Sequence, residues 1–315
     1  MSDNFRAGFV ALIGAPNAGK STLINALVGA KVAIVSRKAQ TTRAAIRGII
    51  VEGEAQIVFV DTPGLFQPKR RLDRAMNAAA WGAAGDADAL ALLIDSRAEI
   101  LAAGQGSQSR DPAYLSDSSQ AILAMLKERT GAKVLILNKI DIVERRDLLA
   151  LAARLNATTL FSETYMISAV TGDGIDRLKR DLAALMPKGP WLYPEDQIAD
   201  APMRSLAAEI TREKLFERLH DELPYQTTVE TESWKDLPDG SARIEQTIYV
   251  TRDSHKKIVI GEGGRTIKAI GAAARKEIAE ANETPVHLFL FVKVREKWLD
   301  DPERYRAMGL EYPKS

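Results

Sequence analysis

The chain has 315 residues, no cysteine, and 43 Lys and Arg against 42 Asp and Glu, a formal charge of +1. The length predicts two domains, and the missing cysteine excludes disulfides and thiolate metal centres. Near-neutrality means that any nucleic-acid binding must come from a local patch. Hydrophobic residues at 46% and charged residues at 27% are those of an ordinary globular protein. The polar start, Met1-Ser2-Asp3-Asn4, has no signal- or transit-peptide pattern, and no apolar run is long enough to span a bilayer, so the expected compartment is the cytoplasm.

In chain order, the apolar run 9–13 feeds Gly14-Ala15-Pro16-Asn17-Ala18-Gly19-Lys20-Ser21, and a helical pattern follows over 22–27. Strand, G-x-x-x-x-G-K-S loop and helix in that order form the context of a P-loop. Gly14 and Gly19 let backbone N–H groups curl around phosphate, and the helix presents its positive end there. Lys20 would reach the β- and γ-phosphates and the Ser21 hydroxyl would ligate Mg²⁺. Residues 29–42 read as a mobile loop before a strand at 45–51, where a threonine could close on Mg²⁺ and sense the γ-phosphate.

Strand 56–60 ends in Asp61-Thr62-Pro63-Gly64. A carboxylate there belongs on the Mg²⁺ side of a P-loop site, and Gly64 lets its N–H approach the γ-phosphate. Residues 89–95 and 134–137 are continuous apolar runs, the pattern of parallel strands buried on both faces. The second run ends in Asn138-Lys139-Ile140-Asp141, whose last carboxylate can accept two hydrogen bonds from guanine and none of that kind from adenine. A strand at 165–167 leads into Ser168-Ala169-Val170 and an amphipathic helix through Leu185. The polar stretch 104–119 reads as a disordered surface insertion. Residues 186–202 hold Pro187, Gly189, Pro190, Pro194 and Pro202, a linker that Trp191 and Tyr193 would anchor to a surface.

The second half predicts a helix at 203–219, strands at 226–234 and 242–250 joined by Pro238-Asp239-Gly240, and the run 256–260. Gly261-Glu262-Gly263-Gly264 follows, then a helix from 265 to about 281 and a strand at 286–294. Between 251 and 276 seven basic residues meet only Asp253 and Glu262, which suits a phosphate backbone.

Residues 14–21, 61–64, 138–141 and 168–170, in that order, resemble the four diagnostic motifs of translation-factor-class GTPases. With Asn17, the 36–43 stretch and the second half, the likeness narrows to the Era family of bacterial GTPases and runs over nearly the whole chain. The resemblance implies an α/β P-loop GTPase domain, a mostly parallel sheet flanked by helices, followed by an α+β type II KH domain. The expected division is a G domain over 1–186, a linker over 187–202, a KH domain over 203–296 and a tail over 297–315 that lies near the RNA groove.

By the same resemblance GTP or GDP is held by Gly14, Ala15, Pro16, Asn17, Ala18, Gly19, Lys20, Ser21, Thr22, Asp61, Gly64, Asn138, Lys139, Asp141, Ser168, Ala169 and Val170. Lys20, Thr42 and Gly64 would be catalytic. Ser21, Asp61 and a threonine of the Thr41-Thr42 pair, with Thr42 favoured, would hold Mg²⁺. Asn17 would hold K⁺. A Gly-x-x-Gly loop between two helices admits single-stranded RNA close to the main chain, so Lys257, Gly261, Glu262, Gly263, Gly264, Arg265 and Lys268 are the RNA-binding candidates. The implied partners of this monomer are the 3′ end of small-subunit ribosomal RNA and the small ribosomal subunit, with peripheral contact at the inner membrane face resting on the same basic stretch. The competing role is a GTPase that gates an RNA-modification partner; a KH module argues against it and a helical partner-binding domain would argue for it.

Two positions depart from the pattern. Leu65 stands where Ras-type GTPases have a water-orienting glutamine, so hydrolysis must draw on the P-loop, ions and something further. Glu262 stands where the family commonly has lysine, leaving Arg265 and Lys268 to compensate.

Overall fold

The computed structural model describes residues 4–36, 46–62, 64–65, 71–105, 115–200, 202–220, 222–296, 298, 301–307 and 310–312. Thr41, Thr42 and Pro63 lie outside that set, and so does the middle of the 104–119 stretch. The chain divides into two compact units; of the described residues the first holds 4–33, those from 46 to 200, and 310–312, and the second holds 34–36 and those from 202 to 307.

The first unit runs β1 (Arg6–Ile13), α1 (Lys20–Val28), β2 (Ile46–Glu52), β3 (Ala55–Asp61), α2 (Arg71–Gly85), β4 (Ala89–Asp95), α3 (Ser96–Gln105) and α4 (Asp117–Lys127). It continues with β5 (Ala132–Asn138), α5 (Arg145–Asn156), β6 (Glu163–Met166) and α6 (Ile175–Leu185). Among the described residues the strands form one sheet in the order β2-β3-β1-β4-β5-β6, parallel except that β2 is antiparallel to β3. Every residue of β3 is buried, because helices cover both faces of the sheet. On one face Leu23, Ile24 and Leu27 of α1 join Leu178 and Leu182 of α6. On the other, Leu123 and Leu126 of α4 join Leu148, Leu151 and Leu155 of α5. The carboxyl ends of β1, β3, β4 and β5 meet at one edge, on either side of the crevice where an open α/β sheet binds its ligand.

The reading of 104–119 as disordered fails at both ends. Residues 104–105 complete α3, and Ser116 caps α4 by accepting from the Ser119 N–H. Glu99 on α3 accepts from the Ser116 N–H at 3.0 Å and from the hydroxyls of Ser116 and Ser119. A buried carboxylate with three donors holds the two helices together, so the serines that made the stretch look unstructured are its ligands.

The proline-rich segment is also anchored. Gln56, buried on β3, donates to the Tyr193 carbonyl at 2.8 Å and accepts from the Leu192 and Tyr193 N–H groups. Trp191 donates to the Glu54 carbonyl and packs edge-on against Phe5. Ile49 N–H donates to the Ile198 carbonyl, and Asp200 N–H to that of Arg47. The linker thereby covers the free edge of β2, which would otherwise offer unpaired backbone groups.

The second unit runs α7 (Met203–Arg218), β7 (Thr227–Asp236), β8 (Ala242–Val250), α8 (Asp253–Ile260), α9 (Arg265–Asn282), β9 (Val286–Val294) and α10 (Pro302–Ala307). Its sheet has the order β7-β8-β9, with β8 antiparallel to β7 and parallel to β9. The order α-β-β-α-α-β with this pairing is the type II KH arrangement expected. α7 buries Ala207, Ile210, Leu215 and Phe216, and α9 adds Ile270, Ala274 and Ile278. Lys214 is drawn into this packing with the Glu277 carboxylate 2.6 Å away, as a buried cation requires. After β9, Trp298 and Tyr305 are both buried.

Candidate nucleotide site and nucleic-acid groove

The loop between β1 and α1 has no room for side chains at its two motif glycines. A Cβ at Gly14 would lie 2.4 Å from the Leu93 carbonyl oxygen; at Gly19, where φ is +101°, it would lie 2.4 Å from Asn138 Nδ2. Lys20 is 6% exposed and folds back over the loop, donating to the carbonyls of Gly14 and Ala15 at 3.0 Å each. Burial pushes its pKa down from 10.5 to about 8, with the Asp61 carboxylate opposing that shift. Ser21 Oγ donates to Asp61 Oδ2 at 2.8 Å, so the hydroxyl and the carboxylate expected on one metal already adjoin.

The second motif lies flat on the first. Leu65 N–H donates to the Gly14 carbonyl at 3.1 Å, and a Cβ at Gly64 would come within 2.8 Å of the Pro16 backbone. Only glycine allows that approach. The Leu65 side chain turns away into the core beside Ile13 and Ile94, which explains a hydrophobic residue there better than its inability to hold water does.

The third and fourth motifs close a ring. Asn138 is buried; its Nδ2 donates to the Ala18 carbonyl at 2.9 Å, and its Oδ1 accepts from the Ala169 N–H at 3.0 Å. Lys139, at φ +65°, reaches the Asn17 carbonyl at 2.9 Å and Asp95 Oδ2 at 2.5 Å. Asp141 sits exposed on the turn Ile140–Ile142. Ser168 is buried and accepts from the Thr171 N–H, while Val170 is 80% exposed. Residues 14–22, Asp61, Gly64, Asn138, Lys139, Ser168 and Ala169 thus converge at one edge of the sheet. Thr42 cannot be placed, since it lies outside the described residues.

In the second unit Gly261, Gly263 and Gly264 have φ of +73°, +61° and +76°. A Cβ at Gly261 would strike Thr266 Oγ1 at 2.2 Å, whereas at Gly263 it would meet nothing within 4 Å. One glycine serves the fold and the other leaves open space in front of the main chain. Beside the loop, Ile267, Lys268, Gly271 and Arg275 of α9 and Phe289 and Phe291 of β9 line a groove of about 350 Å³. Phe289 is 42% and Phe291 50% exposed. Reading the sequence by motif missed these aromatics, though their place on the polar phase of V-H-L-F-L-F-V-K-V was a visible signal. The Arg265 guanidinium is paired with the exposed Glu262 carboxylate and so offsets its charge at the loop itself. Lys268 and Arg275 carry the cationic side of the groove.

A family model described as a 50S ribosome-binding GTPase matches residues 9–139, and a KH domain model matches 222–299. The GTPase Era of Afipia carboxidovorans is 64% identical over 98% of this chain and 96% of its own length. The chain belongs to the Era family of GTPases. Among other members, Era of Rhizobium meliloti (strain 1021) is 62% identical over 98% of this chain and 94% of its own. A crystal structure of Era in complex with MgGDPNP and nucleotides 1506–1542 of 16S ribosomal RNA superposes with a TM-score of 0.87 at 34% identity, covering 97% of this chain and 99% of that one. Aquifex aeolicus Era, as a variant bound to GDP and AlF₄⁻, gives 0.85 at 35% identity with the same coverage. As in the Era family, this chain binds GTP and GDP and is a GTPase. Among the described residues no helix is long and apolar enough to cross a membrane.

Proposed function

We propose that this chain is a GTP-hydrolysing switch that binds the 3′-end region of small-subunit ribosomal RNA and acts in small-subunit assembly. The observation that carries the reading is the match along 97% of the chain to an Era bound to a GTP analogue and 16S RNA, joined to a glycine loop and cationic groove of this chain's own. A KH domain model matches residues 222–299, which supports assigning the RNA contact to the second unit.

Hydrolysis is in-line attack of water on the γ-phosphate. Lys20 exchanges the Gly14 and Ala15 carbonyls for β- and γ-oxygens, the Gly64 N–H donates to the γ-phosphate, and Thr42 closes over it. Because Leu65 is in the core, its side chain does not orient the water, and hydrolysis draws on the P-loop, its ions and a further group. Ser21 and Asp61 are hard oxygen donors 2.8 Å apart, a pair that fits Mg²⁺; with Thr42 they would hold it. When bound, the ion neutralises charge on the β- and γ-oxygens. Asn17, exposed at the loop's tip at φ +64°, supplies an amide oxygen suited to K⁺. Asp141 accepts the guanine N1–H and amine. The chain works as a monomer that touches the inner membrane face peripherally through its basic stretch; light scattering and sedimentation with anionic vesicles check the two points.

The test is a titration of a labelled RNA 3′-end fragment with the full chain, at fixed salt, in GTP analogue and in GDP. Binding should be tighter in the analogue by roughly tenfold. Equal affinities would leave two tethered domains and no switch.

A further inference from the structure

Asp95 ends β4 and precedes α3. Its register partner on β5 is Asn138, so it stands beside the start of the 138–141 turn. The two oxygens of its carboxylate have different partners. Oδ1 accepts the Ala98 N–H at 3.0 Å and so caps the first turn of α3. Oδ2 accepts from the Lys139 ammonium at 2.5 Å, and the same ammonium donates to the Asn17 carbonyl at 2.9 Å. One side chain thereby ties the helix start, the turn that carries Asp141, and the tip of the P-loop.

Capping alone does not account for this arrangement. A cap needs one oxygen and no charge, and asparagine caps as well as aspartate does. The charge matters to Lys139. That lysine holds a left-handed backbone that costs a residue with a Cβ. Its ammonium ends a flexible four-carbon stem that is strongly hydrated when free. The two side chains are 31% and 20% exposed, intermediate between a screened surface pair and a buried one. A carboxylate on the far side of the ammonium confines it to the position from which it reaches the Asn17 carbonyl.

From this geometry we infer that Asp95 is a positioning residue for guanine-nucleotide binding, acting through Lys139 to hold the base-side turn against the P-loop and so to set how long the nucleotide stays. The inference rests on the reading of residues 138–141 as the base-recognition turn. It predicts an effect on dissociation first, because losing one partner of a partly buried charge pair acts mainly on the off-rate.

The experiment measures release of a fluorescent GDP from the full chain and from Asp95→Asn, Asp95→Glu and Asp95→Ala. Asp95→Asn keeps the cap and loses the charge; it should release GDP about tenfold faster with a thermal midpoint close to that of the parent. Its KM for GTP should rise by more than its kcat falls. Asp95→Glu should recover most of the residence time, since the carboxylate can still reach Lys139. Asp95→Ala should release fast and also melt earlier, having lost the cap. Parental release by Asp95→Asn overturns the inference and leaves Asp95 a helix cap. Asp141→Asn, run alongside, tests the reading beneath it: a gain of xanthine over guanine nucleotide supports that reading. Failure of this exchange would remove the base-recognition turn itself, whatever Asp95→Asn does.

Discussion

Lys20 is held in the nucleotide site as a buried cation. Its ammonium is buried among carbonyls, and with a pKa of about 8 against 10.5 when free the folded chain holds fewer protons than the unfolded one between those values. Stability therefore rises with pH across that window, and below about pH 8 the buried charge is a standing cost. Phosphate oxygens repay that cost and restore the ordinary pKa, so nucleotide binding above pH 8 must take up a proton. Calorimetry in buffers of different ionisation enthalpy should find GDP uptake near zero at about pH 7 and rising towards one proton by about pH 8.5. A flat profile would mean that Lys20 does not leave Gly14 and Ala15 for phosphate. Asn17 offers a second residue-scale test. With Leu65 in the core, hydrolysis at saturating GTP should run faster in K⁺ than in Na⁺, and Asn17→Ala should erase the difference; equal parental rates in the two salts refute the ion's role.

At the scale of elements, the Gly-x-x-Gly turn joins α8 to α9, whose Ile267 and Lys268 line the groove with β9. Replacing both Gly263 and Gly264 with Asp puts side chains where the protein leaves space, since the nearest atom is Lys268 Cε at 3.8 Å from a Cβ at 264. Aspartate tolerates the left-handed backbone better than most residues. The double variant should therefore fold, bind GDP like the parent, and lose RNA affinity by more than about tenfold through repulsion of phosphate. Unchanged RNA binding would move the interface away from this turn. Substitution at Gly261 is a poor substitute test, because a Cβ there collides with Thr266 and would damage the fold.

For the whole molecule the requirement is thermodynamic. If the nucleotide alters RNA affinity, RNA must alter nucleotide affinity by the same factor. Saturating 3′-end fragment should therefore tighten GTP analogue relative to GDP by the ratio found in the RNA titration; a mismatch outside error means that the two measurements report different equilibria. The linker is not a free tether in this design. It is bonded along β2 and to Gln56 of β3, the strand that ends in Asp61.

The sequence by itself determined the elements and their chemistry, because those are local. Glycine spacing specifies a phosphate loop, apolar runs specify buried strands, and 89–95, 242–250 and 286–294 are strands with the bounds their patterns imply. Legible, too, was the gathering of the P-loop, Asp61, Gly64 and Asn138, since each motif ends a strand of one parallel sheet. Tertiary structure decided which groups meet. Leu65 went to the core, Arg265 to Glu262, and the serines at 116 and 119 to Glu99. Asp95 pairs with a lysine 44 residues away, and Gln56 with a linker residue 137 away. The aromatic wall of the groove came from the outer phase of an edge strand. Propensity and period act over a few neighbours, whereas these partners are chosen by strand order and helix packing, which no window along the chain contains.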